Sequence, residues 1–192
     1  MWYLTRSTGI VATVLAALAL AWGFLFSARA TGNRLRPAWW LDLHNWLGGL
    51  SLVFIGVHIV TSWLDHDTRI GLLQIFVPGT AKSNTAAIGW GVVGTYLFAL
   101  AVFTTWPRRL ANRRWWRIVH LGSVIAMAMA LIHALQMGSD ASTVPFRVGF
   151  VAVATFAVYT LGLRLFGWLE RAKRSPAQRG AGREPATDLT ES

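Results

Sequence analysis

Five apolar segments, each long enough to cross a bilayer, constrain the fold of this chain more than any other feature. The hydrocarbon core of a membrane requires about 20 consecutive helical residues. Segments of about that length lie at residues 8–27, 40–63, 86–106, 115–137 and 146–169. Helix-breaking residues or charges bound each of them, for example Pro78-Gly79 and Pro107-Arg108-Arg109. We therefore predict an all-α membrane protein, a bundle of five transmembrane helices.

The composition excludes several classes of protein. Hydrophobic residues make up 54% of the chain and charged residues only 14%, which is outside the range of an ordinary soluble domain. The chain contains no cysteine, so it forms no disulfide, thiolate metal site, iron–sulfur cluster or covalent haem attachment. We attribute the formal charge of +10 to a positive cytoplasmic face, and we expect no nucleic-acid partner.

The distribution of Lys and Arg predicts the orientation of the bundle. Fourteen of these residues fall on one predicted side and four on the other, and the positive side is normally cytoplasmic. The N-terminus would then be outside and the C-terminus in the cytoplasm of a cell whose inner or plasma membrane holds the chain. Ala28-Arg29-Ala30 resembles a signal-peptidase site, but the long apolar run and the arginines after it favour a retained helix.

Two stretches lie outside the predicted spans. The longest connection, about residues 64–85, contains an apolar run at 70–77 that we expect along the outer interface. Residues 1–171 form the predicted transmembrane domain. Residues 172–192 are rich in Pro, Gly, Arg, Ser and Glu, so we predict a disordered cytoplasmic tail.

Four of the five histidines lie in two of the predicted helices. His44 and His58 are in the second segment, 14 residues apart, and His120 and His133 are in the fourth, 13 residues apart. The second and fourth helices run in the same direction through the membrane. His44 and His120 are therefore expected at the cytoplasmic level, and His58 and His133 about 20 Å away at the outer level.

Two histidines at one depth on neighbouring helices can supply both axial ligands of a porphyrin iron. Ligation would also satisfy a ring nitrogen that an apolar bundle otherwise leaves unpaired at a cost of several kcal/mol. The sequence thus predicts two stacked b-type haems, ligated by His44 with His120 and by His58 with His133.

The helical geometry of the two segments differs. On a straight helix His44 and His58 lie within about 40° of each other, whereas His120 and His133 lie about 140° apart. Either the fourth predicted helix is tilted or distorted, or the two haems approach it from different sides.

Charged groups near the histidines are candidate partners of haem propionates. Arg113, Arg114 and Arg117 lie within two turns of His120, although they also fit ordinary positive charges of the cytoplasmic face. Arg69, Lys82 and Arg147 are the corresponding cations considered for the outer level. We interpret His66 as part of a solvated loop, and Met127, Met129 and Met137 as packing residues rather than axial ligands.

The two histidine segments, HNWLGGLSLVFIGVH from His44 and HLGSVIAMAMALIH from His120, resemble the ferric reductase-like transmembrane domain family. That family includes membrane parts of ferric reductases and NADPH oxidases, and the haem membrane subunit of the periplasmic methionine sulfoxide reductase system. The resemblance covers about residues 40–137, and the spacings match the bis-haem pattern of the family. It implies electron transfer from the cytoplasmic side outward.

Two departures from the family matter for function. Family members commonly have six membrane helices, whereas five are predicted here. The larger members continue into a FAD and NAD(P)H domain, but this chain has no GxGxxG motif and no length for such a domain. We expect no flavin or nicotinamide site in this chain, so the resemblance implies a separate donor, either a cytoplasmic flavoprotein or a quinol.

The sequence therefore predicts a di-haem b-type transmembrane electron-transfer protein, the membrane component of a ferric reductase-like oxidoreductase. Its outer-side acceptor would be ferric iron or an exported reductase or flavoprotein partner. The alternative from a different class is a histidine-lined transporter or channel for protons or metal ions, without haem. A purely structural membrane anchor is a third interpretation.

Overall fold

The computed structural model describes residues 1–28, 37–65, 70–105 and 113–173. Its helices are α1 (Trp2–Ala28), α2 (Pro37–Leu64), α3 (Leu72–Phe76), α4 (Thr85–Phe103), α5 (Arg113–Met137) and α6 (Val144–Lys173). All of them except α3 are long and apolar enough to cross a membrane. The prediction of an all-α chain with five membrane-length helices is therefore confirmed.

The ends of the helices differ from the predicted ones by four residues or more at two places. Helix α1 begins at Trp2, six residues earlier than predicted, because the hydroxyl groups of Ser7 and Thr8 bond to the Leu4 carbonyl of the same helix and so remain satisfied within it. Helix α6 extends to Lys173, so residues 172 and 173 are helical and not part of a tail. The rest of the predicted tail lies outside the described residues.

The apolar run at 70–77 contains the one short helix among the described residues, α3. Its side chains Leu72, Leu73 and Phe76 are more than half exposed. The helix is held against the bundle through α4, where the hydroxyl of Tyr96 donates a hydrogen bond to the Phe76 carbonyl. An exposed apolar face beside long apolar helices fits the predicted position along an interface.

The long helices pack as two antiparallel pairs, α1 with α2 and α4 with α5, and α6 packs against α1. Small residues allow α1 to approach its neighbours closely, because Ala12, Ala16, Ala17, Ala19 and Ala21 are all buried. Ser51 of α2 is completely buried against α1 and donates a hydrogen bond to the Ala12 carbonyl at 2.9 Å. Helix α1 thus contacts three of the other four long helices, α2, α5 and α6.

The two histidine-bearing helices, α2 and α5, make little close backbone contact with each other in the described part of the chain. Each is instead packed along its own partner, α1 or α4. A space is left between α2 and α5, and the histidine side chains extend into it.

We predict that Ser51→Leu lowers the unfolding midpoint of the detergent-solubilised protein. The larger side chain has no room at the contact with α1, and overpacking of this kind costs about 1–3 kcal/mol. Ser51→Ala removes only one hydrogen bond, worth about 0.6 kcal/mol inside membrane proteins, so its effect should be small. Val53→Leu on the exposed side of α2 is the matched control, since Val53 is 60% exposed. Equal midpoints for Ser51→Leu and Val53→Leu would contradict the described α1–α2 contact.

Candidate functional site

The four intramembrane histidines form two facing pairs. The ring centroids of His44 and His120 are 5.8 Å apart, and those of His58 and His133 are 6.3 Å apart. The rings stand edge to face, with interplanar angles of 66° and 82°. These are the two pairs predicted from depth along the helices, and we refer to them as the 44/120 pair and the 58/133 pair.

Helix α5 presents both of its histidines to α2 without a break. Residues 113–137 form one uninterrupted α-helix. Local distortion, one of the two explanations considered for the 13-residue spacing, is therefore not how the helix reaches both pairs. With regular helical geometry the two imidazoles leave α5 from different sides.

Each of three histidines is anchored through its Nδ1 atom to a backbone carbonyl of the neighbouring helix. His44 Nδ1 donates to the Ala19 carbonyl at 2.9 Å and His58 Nδ1 to that of Thr5 at 2.7 Å. His133 Nδ1 donates to the Ala87 carbonyl of α4 at 2.8 Å. A carbonyl only accepts, so Nδ1 carries the proton and the Nε2 lone pair is left free to bind a metal.

A glycine lies four residues after each of these three anchoring carbonyls. A Cβ atom at Gly9 would lie 3.0 Å from the His58 ring, one at Gly23 3.1 Å from His44, and one at Gly91 2.9 Å from His133. The carbonyl of residue i points along a helix toward residue i+4, so a side chain there would obstruct the approaching imidazole. These glycines are what allows the rings to reach the carbonyls.

The anchoring helices are related to each other in sequence as well. Residues 9–20 of α1 read GIVATVLAALAL and residues 91–102 of α4 read GVVGTYLFALAV, with seven of twelve positions identical. The offset of 82 residues also relates Thr5 to Ala87 and Ala19 to Ala101. The histidine repeat was predicted from the sequence and this one was not, although it is visible when the chain is aligned with itself at that offset.

Each pair lies in a cavity of the bundle. The 58/133 pair lies in one of about 360 Å³ and the 44/120 pair in one of about 840 Å³. Both are within the range of about 300–1,000 Å³ that is usual for small-molecule and cofactor sites. Ala16, Phe98 and Met127 line both cavities and form the apolar partition between them.

Two arginines line the 44/120 cavity, and only one of them was predicted. Arg117 is among the lining residues, whereas the exposed Arg114 is not. Only the backbone of Arg113 belongs to the described part of the chain. The second arginine is Arg164 of α6, which also lies 5.5 Å from the ring of Phe24.

Arg164 is one of the fourteen Lys and Arg residues on the side predicted to be cytoplasmic. The signal for its role was its position inside the fifth predicted apolar segment, because charged residues within membrane segments usually face a cavity or a functional site.

The 58/133 cavity has a different cation from those considered in the sequence. Arg6 of α1 lines it, forms an ion pair with Asp140, and places its guanidinium 4.1 Å from the Trp2 ring. Lys82 and Arg147 are exposed and do not line this cavity, and Arg147 donates to the Ala141 carbonyl instead. Arg69 and His66 lie outside the described residues.

The methionines differ in their relation to the pairs. Met127 is buried in the core with Ala16 and Ala17, and Met137 lines the 58/133 cavity.

The described residues contain no group of three or more His, Asp or Glu side chains placed to hold a metal ion. Each facing pair therefore offers two imidazole nitrogens to a ligand.

No protein-family model and no curated protein matches this chain.

We predict that Gly91→Ala disturbs the anchor of His133 and leaves the other histidines unchanged. The added methyl group would lie 2.9 Å from the ring and would push Nδ1 away from the Ala87 carbonyl. The readout is the nitrogen-15 NMR spectrum of histidine-labelled protein, in which the His133 Nδ1 signal should shift. Gly49→Ala is the matched control, because nothing lies within 4 Å of a Cβ there. Identical spectra for the two variants would show that the glycine is not what seats the ring.

Proposed function

We propose that this chain is a di-haem b-type transmembrane electron-transfer protein. The observation that carries the proposal is the two facing imidazole pairs, each extending into the space between α2 and α5. Two imidazoles that bind one metal ion from opposite sides, each about 2 Å from it, have ring centroids about 6 Å apart. The observed separations of 5.8 and 6.3 Å are close to that value.

The number of ligands also supports haem over a free metal ion. A zinc ion normally takes three or four protein ligands, whereas a haem iron takes four nitrogens from the porphyrin and needs only the two axial positions. The anchored Nδ1 atoms leave Nε2 unprotonated in three of the four rings, which is the state that ligation requires. When bound, each haem would supply a one-electron redox couple.

The residues around each pair would orient the cofactor and complete its binding. Arg117 and Arg164 are placed to pair with the propionates of a haem at the 44/120 pair. Arg6 lines the cavity of the 58/133 pair and could pair with a propionate there, although it already forms an ion pair with Asp140. The apolar partition of Ala16, Phe98 and Met127 would keep water and ions from passing between the two levels.

We infer a direction of electron transfer from the charges of the chain. If the positive side is cytoplasmic, the 44/120 pair is at the inner face and the 58/133 pair at the outer face of the inner or plasma membrane. The donor would be a cytoplasmic flavoprotein or a quinol, and the acceptor ferric iron or an exported reductase or flavoprotein partner. The chain would then be a membrane component of a ferric reductase-like oxidoreductase.

The first test is the absorption spectrum of the purified protein, oxidised and then reduced with dithionite, together with the number of haems per chain. We expect a low-spin b-type spectrum and two haems. His44→Ala or His120→Ala should remove one haem, His58→Ala or His133→Ala the other, and His44→Ala with His58→Ala both. His66→Ala is the control and should retain two. A colourless protein after expression with ample haem would overturn the proposal and favour the histidine-lined transporter.

The second test addresses orientation. Because the chain has no native cysteine, Ser139→Cys between α5 and α6 and Lys173→Cys at the end of α6 each introduce a single thiol. We expect a membrane-impermeant maleimide to label Ser139→Cys in intact cells and Lys173→Cys only after permeabilisation. The reverse pattern would invert the proposed direction of electron transfer and leave the haem sites themselves untouched.

A further inference from the structure

The fourth histidine anchor differs from the other three. His120 Nδ1 is buried near the Ala101 carbonyl but makes no hydrogen bond of normal geometry to it. By the 82-residue offset Ala101 is the counterpart of Ala19, which anchors His44. The 44/120 pair therefore has one ring with a normal hydrogen bond to its carbonyl and one ring that approaches its carbonyl without that geometry, whereas both rings of the 58/133 pair have normal hydrogen bonds.

The end of α4 accounts for the difference. Thr105 occupies the register position that Gly9, Gly23 and Gly91 occupy at the other three anchors. The helix closes here as a tighter turn, in which the Thr105 N–H donates to the Val102 carbonyl at 3.1 Å. The Oγ1 atom of Thr104 also lies 3.2 Å from the Ala101 carbonyl. The end of α4 is thus wound differently from the other three anchors, and the Ala101 carbonyl is shared with the Thr104 hydroxyl.

His120 is held by an aromatic contact instead. The ring of Trp116, one turn earlier on α5, stacks on it at 4.9 Å with an interplanar angle of 14°. Stacking fixes the plane of the ring without accepting its Nδ1 proton. The orientation of His120 is therefore supported, but its electron density is not raised as it is by donation to a carbonyl.

We propose that this unequal anchoring sets the two haem potentials apart, with the higher potential at the 44/120 pair and Thr105 as the positioning residue responsible. The inference rests on the proposed function. A ligating imidazole that donates Nδ1–H to a carbonyl is a more basic ligand, which stabilises the ferric state and lowers the reduction potential. Both ligands of the 58/133 haem have this support, and only one ligand of the 44/120 haem has it in normal geometry. In the proposed direction, from the 44/120 haem to the 58/133 haem, the electron then moves uphill in potential, and a downhill step to the outer acceptor must offset the difference.

The charges around the two pairs act in the same direction. Arg117 and Arg164 line the 44/120 cavity, and positive charge near a redox centre favours its reduced state. Arg6 at the other pair is neutralised by Asp140. The arginines alone would therefore separate the potentials to some degree, and the test must change an anchor while leaving every charge in place.

The experiment is a potentiometric titration of the haem-loaded protein and of Thr105→Gly, Gly91→Ala and the control Gly49→Ala. Thr105→Gly should lower the higher potential, because it frees the approach to the Ala101 carbonyl. Gly91→Ala should raise the lower potential, because it separates His133 from its anchor. Loss of a hydrogen bond that supports a metal-binding side chain commonly lowers the affinity of the site tenfold or more. A tenfold change in the ratio of ferric to ferrous affinity corresponds to about 59 mV for one electron. His58→Ala, which retains only the 44/120 haem, assigns the higher potential to that pair.

The low-temperature EPR spectrum gives an independent readout, since the ferric signal of one haem should change in each anchor variant and neither should change in Gly49→Ala. The inference would be overturned if both anchor variants bound two haems per chain and their reduction potentials and EPR signals were the same as those of Gly49→Ala. If Thr105→Gly binds no haem, the single variants Gly91→Ala and Gly23→Ala decide. Gly91→Ala should raise the potential of the 58/133 haem, and Gly23→Ala should raise that of the 44/120 haem. Absence of haem from the unaltered protein would instead overturn the proposed function.

Discussion

An imidazole inside an apolar bundle has two ring nitrogens to satisfy, and this requirement determines most of the structure. Lipid and hydrocarbon side chains offer no partner, and each unpaired polar group costs several kcal/mol. In three of the four rings Nδ1 is satisfied by a backbone carbonyl of a neighbouring helix. Nε2 of these rings is left free, and the haem iron is the partner that we propose for it.

Different helices carry the histidines and the groups that bind them. Helices α2 and α5 carry the histidines, and α1 and α4 supply the carbonyls and the glycines that make them accessible. Because each histidine helix packs along its own supporting helix, α2 and α5 stay apart, and their separation creates the two cavities. Helix α6 packs on α1 and contributes Arg164 to the larger cavity. A change in α1 or α4 therefore reaches the histidines without altering any of them.

The sequence was sufficient for the helices and for the pairing of the histidines. Apolar length defines a membrane helix, and the 14- and 13-residue spacings place the rings at two common depths. It was insufficient for the anchors, because a backbone carbonyl has no sequence signature and Gly9, Gly23 and Gly91 resemble the glycines of ordinary helix packing. It also did not place Arg164 at the 44/120 cavity, since charge counting sorts residues by side of the membrane and ignores which cavity a helix turn faces. The start of α1 was missed because hydroxyl groups near a helix end can bond back to the helix itself.

The repeat at an offset of 82 residues relates the two halves of the bundle to each other. Each half is a helical hairpin, α1–α2 or α4–α5, and the supporting helices run parallel to each other, as do the histidine helices. A single ancestral hairpin that paired with an identical copy about a twofold axis along the membrane normal would already assemble both histidine pairs. In such a dimer the two rings of a pair would be identical by symmetry. A single chain has no such restriction, so the two rings of a pair can differ in their hydrogen bonds to the supporting helices, as His120 and His44 do here.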